Sequence, residues 1–132
     1  MEGRLTGLPW HRLLLGMLAA MVVVASWSQA REPVGFTTAR HLDEHYEKHG
    51  REFGTISKHE YLALAQALRD APAGGPIEEI VRKDGVVTRF DRASGAFIAF
   101  NPDRTIRTFF KPNDGERYFR RQAARDDHGA SE

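Results

Sequence analysis

Cysteine is absent from the 132 residues of this chain, which excludes a disulfide framework, a lipoprotein attachment site and a thiolate-ligated structural metal. A hydrophobic run of membrane-spanning length is also missing. The uncharged stretch from Leu13 to Ser28 has sixteen residues, is broken by Gly16 and diluted by Ala19, Ala20 and Ala25, and so falls short of the ~20 that a spanning helix needs. Nor does one charge dominate the body of the chain. Residues 1–30 hold Arg4, Arg12 and Glu2, so 17 of the 19 basic and 17 of the 18 acidic residues lie beyond them. No overall basic field draws that region to nucleic acid, and any attraction to phosphate has to come from a local patch. There is no internal repeat, and no low-complexity tract apart from the linker Ala71-Pro72-Ala73-Gly74-Gly75-Pro76.

What the N-terminus does contain is an export pattern. Arg4, His11 and Arg12 against the single acid Glu2 precede the uncharged run, which ends in Ser28-Gln29-Ala30 ahead of Arg31-Glu32-Pro33. Basic n-region, apolar h-region and small residues at the two peptidase-read positions predict a signal peptide over 1–30, cleaved after Ala30, with the product secreted or periplasmic. An uncleaved signal would instead leave the protein anchored to the membrane. About a hundred residues then remain, enough for one hydrophobic core and not for two.

Residues 31–37 show no periodicity and are expected to be an irregular lead-in to a domain over 38–124, with 125–132 a frayed tail. Leu42, His45, Tyr46 and His49 recur at helical spacing, with Gly50 as the expected left-handed stop. Ser57-Lys58-His59-Glu60 is a capping box flanked by Ile56 and Tyr61 at the staple positions, and Tyr61, Ala65 and Leu68 continue a buried stripe to about Asp70. From Ile77 onward the period changes to two. Asp84-Gly85, Ser94-Gly95 and Asn101-Pro102-Asp103-Arg104 separate four strand-like runs, Glu78–Lys83, Val86–Asp91, Ala96–Phe100 and Thr105–Lys111. Asp84-Gly85 reads as a two-residue type I′ turn. Alternation groups Val86, Thr88 and Phe90 with Ile98 and Phe100 on one face, and sets Ile106, Thr108 and Phe110 opposite Thr105, Arg107 and Phe109. Pro112 stops the last strand, and a short helix from about Glu116 to Ala124 closes the domain. The fold class expected is α+β: N-terminal helices covering one face of a four-stranded antiparallel meander, then a short C-terminal helix.

Two groups of side chains carry chemistry. His41, His45 and His49 recur every four residues and stack along one side of the first helix. As a zinc site they are incomplete, because His45-Tyr46-Glu47-Lys48-His49 does not place its Glu as H-E-x-x-H requires and no Cys is available. Each could equally be a half-buried polar residue of an amphipathic helix. In the second half, Arg82, Lys83, Arg89, Arg104, Arg107, Lys111, Arg117, Arg120 and Arg121 alternate with Phe109, Phe110, Tyr118 and Phe119. Cations among flat rings suit a phosphate backbone and unstacked bases, although charges on most strand and helix surfaces serve only solubility. The segment Arg107-Thr108-Phe109-Phe110-Lys111 concentrates two cations, a hydroxyl and two aromatics at one strand end.

Taken in order, His45, Lys48-His49-Gly50, Glu52-Phe53-Gly54, Ser57 with Glu60-Tyr61, a strand hairpin, Ile106-Arg107-Thr108-Phe109-Phe110-Lys111-Pro112 and Tyr118-Phe119 resemble bacterial toxin ribonuclease domains. These belong to the barnase, EndoU, colicin D and RelE superfamily. The likeness runs from about Leu42 to Gln122. It implies N-terminal helices packed on an antiparallel sheet and RNA cleavage with no metal and no cofactor. It also implies catalytic candidates at His45, Lys48, His49, Thr108 and Tyr118, and phosphate or RNA contacts at Arg107, Phe110 and Lys111. RNA is the substrate so implied, and a cognate immunity protein is the partner such a toxin would have.

The chemistry has its own demands. Metal-free cleavage needs a base for the ribose 2′-hydroxyl, an acid for the leaving 5′-oxygen and a cation for the phosphorane, and it ends in a 2′,3′-cyclic phosphate. His45 or His49 suits the proton transfers, Lys48, Arg107 or Lys111 the charge, and Thr108 and Tyr118 the phosphate. Strict alternation would put Arg107 and Thr108 on opposite faces, so both serve one site only if the strand twists or bulges there. The competing expectations are a non-catalytic exported or membrane-anchored binding domain with the same fold, and a metal-dependent hydrolase built on His41, His45 and His49.

Overall fold

The computed structural model describes residues 34–128; the expected signal peptide with its cleavage after Ala30, and the last residues of the tail, lie outside the described residues. Helix α1 spans Ala39–His49, and its N-terminus is fixed by the Thr38 hydroxyl, which accepts the His41 backbone N–H at 3.1 Å. The expected left-handed stop at Gly50 is not there. Gly50 keeps a right-handed φ of −55° and the chain tightens into one 3₁₀ turn, Gly50–Phe53, before Gly54 takes the positive φ of 101°. Gly50 is needed for closeness instead: a Cβ on it would lie 2.7 Å from two carbons of the Tyr46 ring.

Helix α2 spans Lys58–Asp70 and starts at the capping box expected for it. The Ser57 hydroxyl accepts the Glu60 N–H at 3.1 Å, and the Glu60 carboxylate accepts the Ser57 N–H at 2.7 Å. Its buried stripe is Tyr61, Ala65 and Leu68. Strands β1 (Ile77–Val81), β2 (Val87–Asp91), β3 (Phe97–Phe100) and β4 (Ile106–Phe110) form one antiparallel sheet in the order β1-β2-β3-β4, and helix α3 (Glu116–His128) follows. This is the α+β meander the sequence predicts, with the last helix running four residues past Ala124.

The turns and faces differ from expectation, each because of the length of a different loop. The β1–β2 connection is a three-residue loop, Lys83-Asp84-Gly85: Arg82 N–H donates to Val86 C=O at 2.9 Å and Gly85 N–H to Arg82 C=O at 2.9 Å. Among the described non-glycine residues only Arg104 has positive φ, so Asp84 cannot be the first central residue of a type I′ turn. Gly85, at φ 84°, is the left-handed third residue of the loop. The β2–β3 loop has an even number of residues, Arg92 to Gly95, because Asp91 N–H donates to Ala96 C=O at 2.9 Å. An even loop pairs even-numbered with odd-numbered positions, giving Thr88↔Ala99 and Phe90↔Phe97. Ile98 and Phe100 therefore share a face with Val87 and Arg89, not with Val86, Thr88 and Phe90.

A β-bulge corrects the last strand. Phe100 pairs with Ile106 but Ala99 pairs with Thr108, so Arg107 is the extra residue. The slip turns Ile106 and Phe109 onto the same face, where both are buried. One core then forms between that face and the first two helices, from Phe36, Tyr61, Ala65, Leu68, Ile98, Phe100, Ile106 and Phe109. A second forms on the opposite face, where Val86, Phe90, Phe97 and Ala99 meet Phe119 of α3. The sheet is covered on both sides, not one.

Two arginines of the body of the domain are structural. Arg69 is 3 % exposed; its guanidinium donates to the Val34 and Arg104 carbonyls and to the Asp70 carboxylate. Arg89 pairs with Glu79 at 2.6 Å and donates to the carbonyls of Leu68 and Ala71, closing the C-terminus of α2. Through Arg69 the segment before α1 is bound into the fold. Ile106 N–H donates to Gly35 C=O at 2.9 Å, Thr37 N–H to Ile106 C=O at 3.3 Å, and Phe36 enters the core. The described part of the stretch expected as a mere lead-in, Val34–Thr37, thus lies along β4, next to α1.

Candidate active site

Residues His45 and His49 project from consecutive turns of α1 toward β4. Their rings stack with centroids 6.1 Å apart. His45 lies against Phe36 at 5.3 Å, and His49 lies on the ring of Phe110 at 5.0 Å. Phe110 in turn meets Tyr118 of α3 edge-on at 5.2 Å, and Phe97 joins both. Four of the sequence-derived candidates, His45, His49, Phe110 and Tyr118, are therefore one connected cluster of rings at the β4 edge.

The two imidazoles are in different electrical situations. Nδ1 of His45 is buried without a hydrogen-bond partner. Burial lowers the pKa of His45 below the ordinary histidine value, and the neighbouring His49, His41 and Lys48 push it further in the same direction against Glu44. Nδ1 of His49 lies 2.5 Å from Oε2 of Glu52, while Oε1 of the same carboxylate accepts the backbone N–H of Lys111 at 2.7 Å. Glu52 sits in the 3₁₀ turn and was not among the sequence-derived site residues. Its spacing from His49 is readable, but the arrival of the Lys111 amide is not.

The remaining candidates lie on the same helix and strand or just beyond the strand. Thr108 is half-buried on β4, opposite Ala99 and on the same face as Phe110. Lys111 follows Phe110, and its ammonium lies over the Phe53 ring, 5.1 Å from the centroid. Lys48 and Arg107 are exposed, Lys48 on α1 and Arg107 at the bulge. The bulge removes the strict alternation that would have parted Arg107 from Thr108. Phe53, Phe109 and Lys111 help line an open, mostly apolar cleft of about 410 Å³, and neither histidine lines it.

Much of the basic constellation is committed elsewhere. Arg104 pairs with Asp70, Arg120 with Glu78 and Glu116, Arg121 with Asp114, and Arg82 with Asp84. Lys48, Arg107 and Lys111 have no carboxylate within salt-bridge distance among the described residues, so their charges are available to an anion. Among the described residues no three His, Asp or Glu side chains converge as a metal site, and no helix is long and apolar enough to cross a membrane. The chain matches no family model and no curated protein.

Proposed function

We propose that this protein is an exported endoribonuclease that cuts RNA by metal-independent transesterification, with His45 and His49 as the acid–base pair. The observation that carries the reading is the pair of stacked imidazoles 6.1 Å apart, set against an aromatic ring that a base could extend. One imidazole takes the 2′-hydroxyl proton as O2′ attacks phosphorus. The P–O5′ bond breaks, and the other imidazole gives a proton to O5′, leaving a 2′,3′-cyclic phosphate and a 5′-hydroxyl. Its lowered pKa suits His45 to the neutral, proton-accepting state near pH 7. Lys48, Arg107 and Lys111 are the cations available to the phosphorane, Thr108 and Tyr118 the hydroxyls, and Phe110 the ring for a base. The export signal over residues 1–30 and a protein inhibitor that protects the producing cell belong to the same toxin-like reading.

The test is digestion of total RNA by the purified chain in EDTA, with end-group analysis of the products. His45→Ala and His49→Ala are each compared with His59→Ala, an exposed residue of α2. Loss of an acid or base costs ~10²–10⁴-fold in rate, and loss of a solvated histidine almost nothing. Retention of wild-type cleavage by both site variants removes this assignment. An inactive wild type leaves a binding domain, and activity abolished by EDTA points to the metal-dependent alternative.

A further inference from the structure

We infer that Glu52 is a positioning residue: held between the Lys111 backbone N–H and Nδ1 of His49, its carboxylate keeps neutral His49 protonated on Nδ1 and leaves Nε2 to exchange a proton with substrate. Only the last clause rests on the ribonuclease reading. The rest follows from donor and acceptor counting. An ionised carboxylate has no hydrogen to give, so both contacts must be donated to it. A backbone amide is always a donor, which fixes Oε1, and the imidazole facing Oε2 must carry its hydrogen on Nδ1. Phe110 at 5.0 Å and His45 at 6.1 Å lie against the ring and oppose its rotation. The charged or titratable groups around His49 are His45 and Lys48 from α1, Glu52 from the 3₁₀ turn, and Lys111 at the end of β4, with the Tyr118 phenol of α3 beyond Phe110.

The double contact also joins two parts of the site that are far apart in sequence. Glu52 and Lys111 are 59 positions apart, and their bond ties the end of α1 to the end of β4. That tie sets Phe110 beneath His49, and it makes the effect of an amide at position 52 predictable. In Glu52→Gln the single oxygen is required by the Lys111 N–H, so the NH₂ group faces His49. Nδ1 must then accept, and the neutral imidazole carries its proton on Nε2, so Nε2 can no longer be the atom that takes up a proton from substrate or is left bare by giving one.

The experiment is long-range ¹H–¹⁵N NMR of the histidine rings in the full chain above the histidine titration range, with His49 assigned from its absence in His49→Ala. Wild type is expected to show the Nδ1–H tautomer at His49 and Glu52→Gln the Nε2–H tautomer. RNA cleavage by Glu52→Gln should fall about 10²-fold or more in kcat with KM within about twofold, at a nearly unchanged Tm. An Nε2–H tautomer in wild type overturns the inference even if the variant fails to fold. So does an Nδ1–H tautomer and unaltered kcat in a folded Glu52→Gln. If the tautomers behave as stated but wild type cuts no RNA, the tether stands and the ribonuclease reading falls; if wild type cuts RNA while its His49 carries the proton on Nε2, the reverse holds.

Discussion

Replacing Gly50 by Ala sets helix propensity against packing, and the structure decides the sign. Gly50 is right-handed, with φ −55° and ψ −39°, a conformation any residue adopts, so on propensity alone Ala should stabilise by ~0.4–1 kcal/mol. The added Cβ would lie 2.7 Å from Cδ2 and Cε2 of Tyr46, about 1 Å inside an ordinary carbon–carbon contact. The ring is not free to retreat. Its hydroxyl donates to Ile56 C=O at 2.6 Å, and its face lies 5.8 Å from Tyr61 in the core. Overpacking of this kind costs ~1–3 kcal/mol, and losing the Tyr46 hydrogen bond adds ~0.5–1.5 kcal/mol. The net expectation for Gly50→Ala is a loss of ~1–3 kcal/mol, or a Tm lower by roughly 5–20 °C. The assay is a double-mutant cycle by thermal or urea unfolding, with Tyr46→Ala as the second change. In the Tyr46→Ala background the clash is gone and Gly50→Ala should become neutral or stabilising. A Gly50→Ala protein at least as stable as wild type, or the same loss in both backgrounds, refutes the reasoning.

Two further expectations rest on single residues. Gly85→Val should cost ~2–4 kcal/mol, because φ is 84° and the new Cβ would meet Pro102 Cγ at 2.9 Å; Gly95→Ala, at φ 77° with open space around it, should cost only ~1–2 kcal/mol, and denaturant midpoints compare the two. For pH, the lowered pKa of His45 means that the unfolded chain takes up its proton first as pH falls. His45 therefore costs no stability above the unfolded value of about 6.5 and a growing amount as pH drops through its folded value. Urea midpoints of wild type should fall more steeply below that pH than those of His45→Asn, and parallel curves would show that His45 is not the group responsible.

What was legible in the sequence follows from how local each determinant is. Helix α2 is specified by Ser57, Glu60, Ile56 and Tyr61 within one turn of its start, and it begins where those residues place it. The strands were legible for a similar reason, since turn residues punctuate them. Their faces were not. Asp84-Gly85 is compatible with a two-residue turn and with the last two positions of a three-residue one, and that one residue decides which residues of β1 share a face with those of β2. The pairing of Ile98 with Arg89 is the result of loop length, which hydrophobicity alone does not encode. The bulge at Arg107 is a further slip of the same kind, and it turns Ile106 and Phe109 to one face.

The candidate site divides along the same line. His45 and His49 were visible because helical spacing is local, and Phe110 and Tyr118 because a resemblance in order and spacing pointed to them. Glu52 stands three positions after His49, a spacing at which a carboxylate and an imidazole are ordinarily a solvated pair, so sequence alone does not single it out. What distinguishes this pair is the second acceptor oxygen. Oε1 holds the Lys111 amide at 2.7 Å, so the carboxylate cannot swing into water without breaking a bond to the sheet. That bond depends on where β4 ends relative to α1, which depends on the bulge and on the segment Val34–Thr37 lying along β4. The double contact of Glu52 comes from those non-local placements. The histidines of the candidate site and Glu52 therefore come from one short stretch, α1 and its following turn, while their arrangement is set by backbone about sixty residues away in the chain.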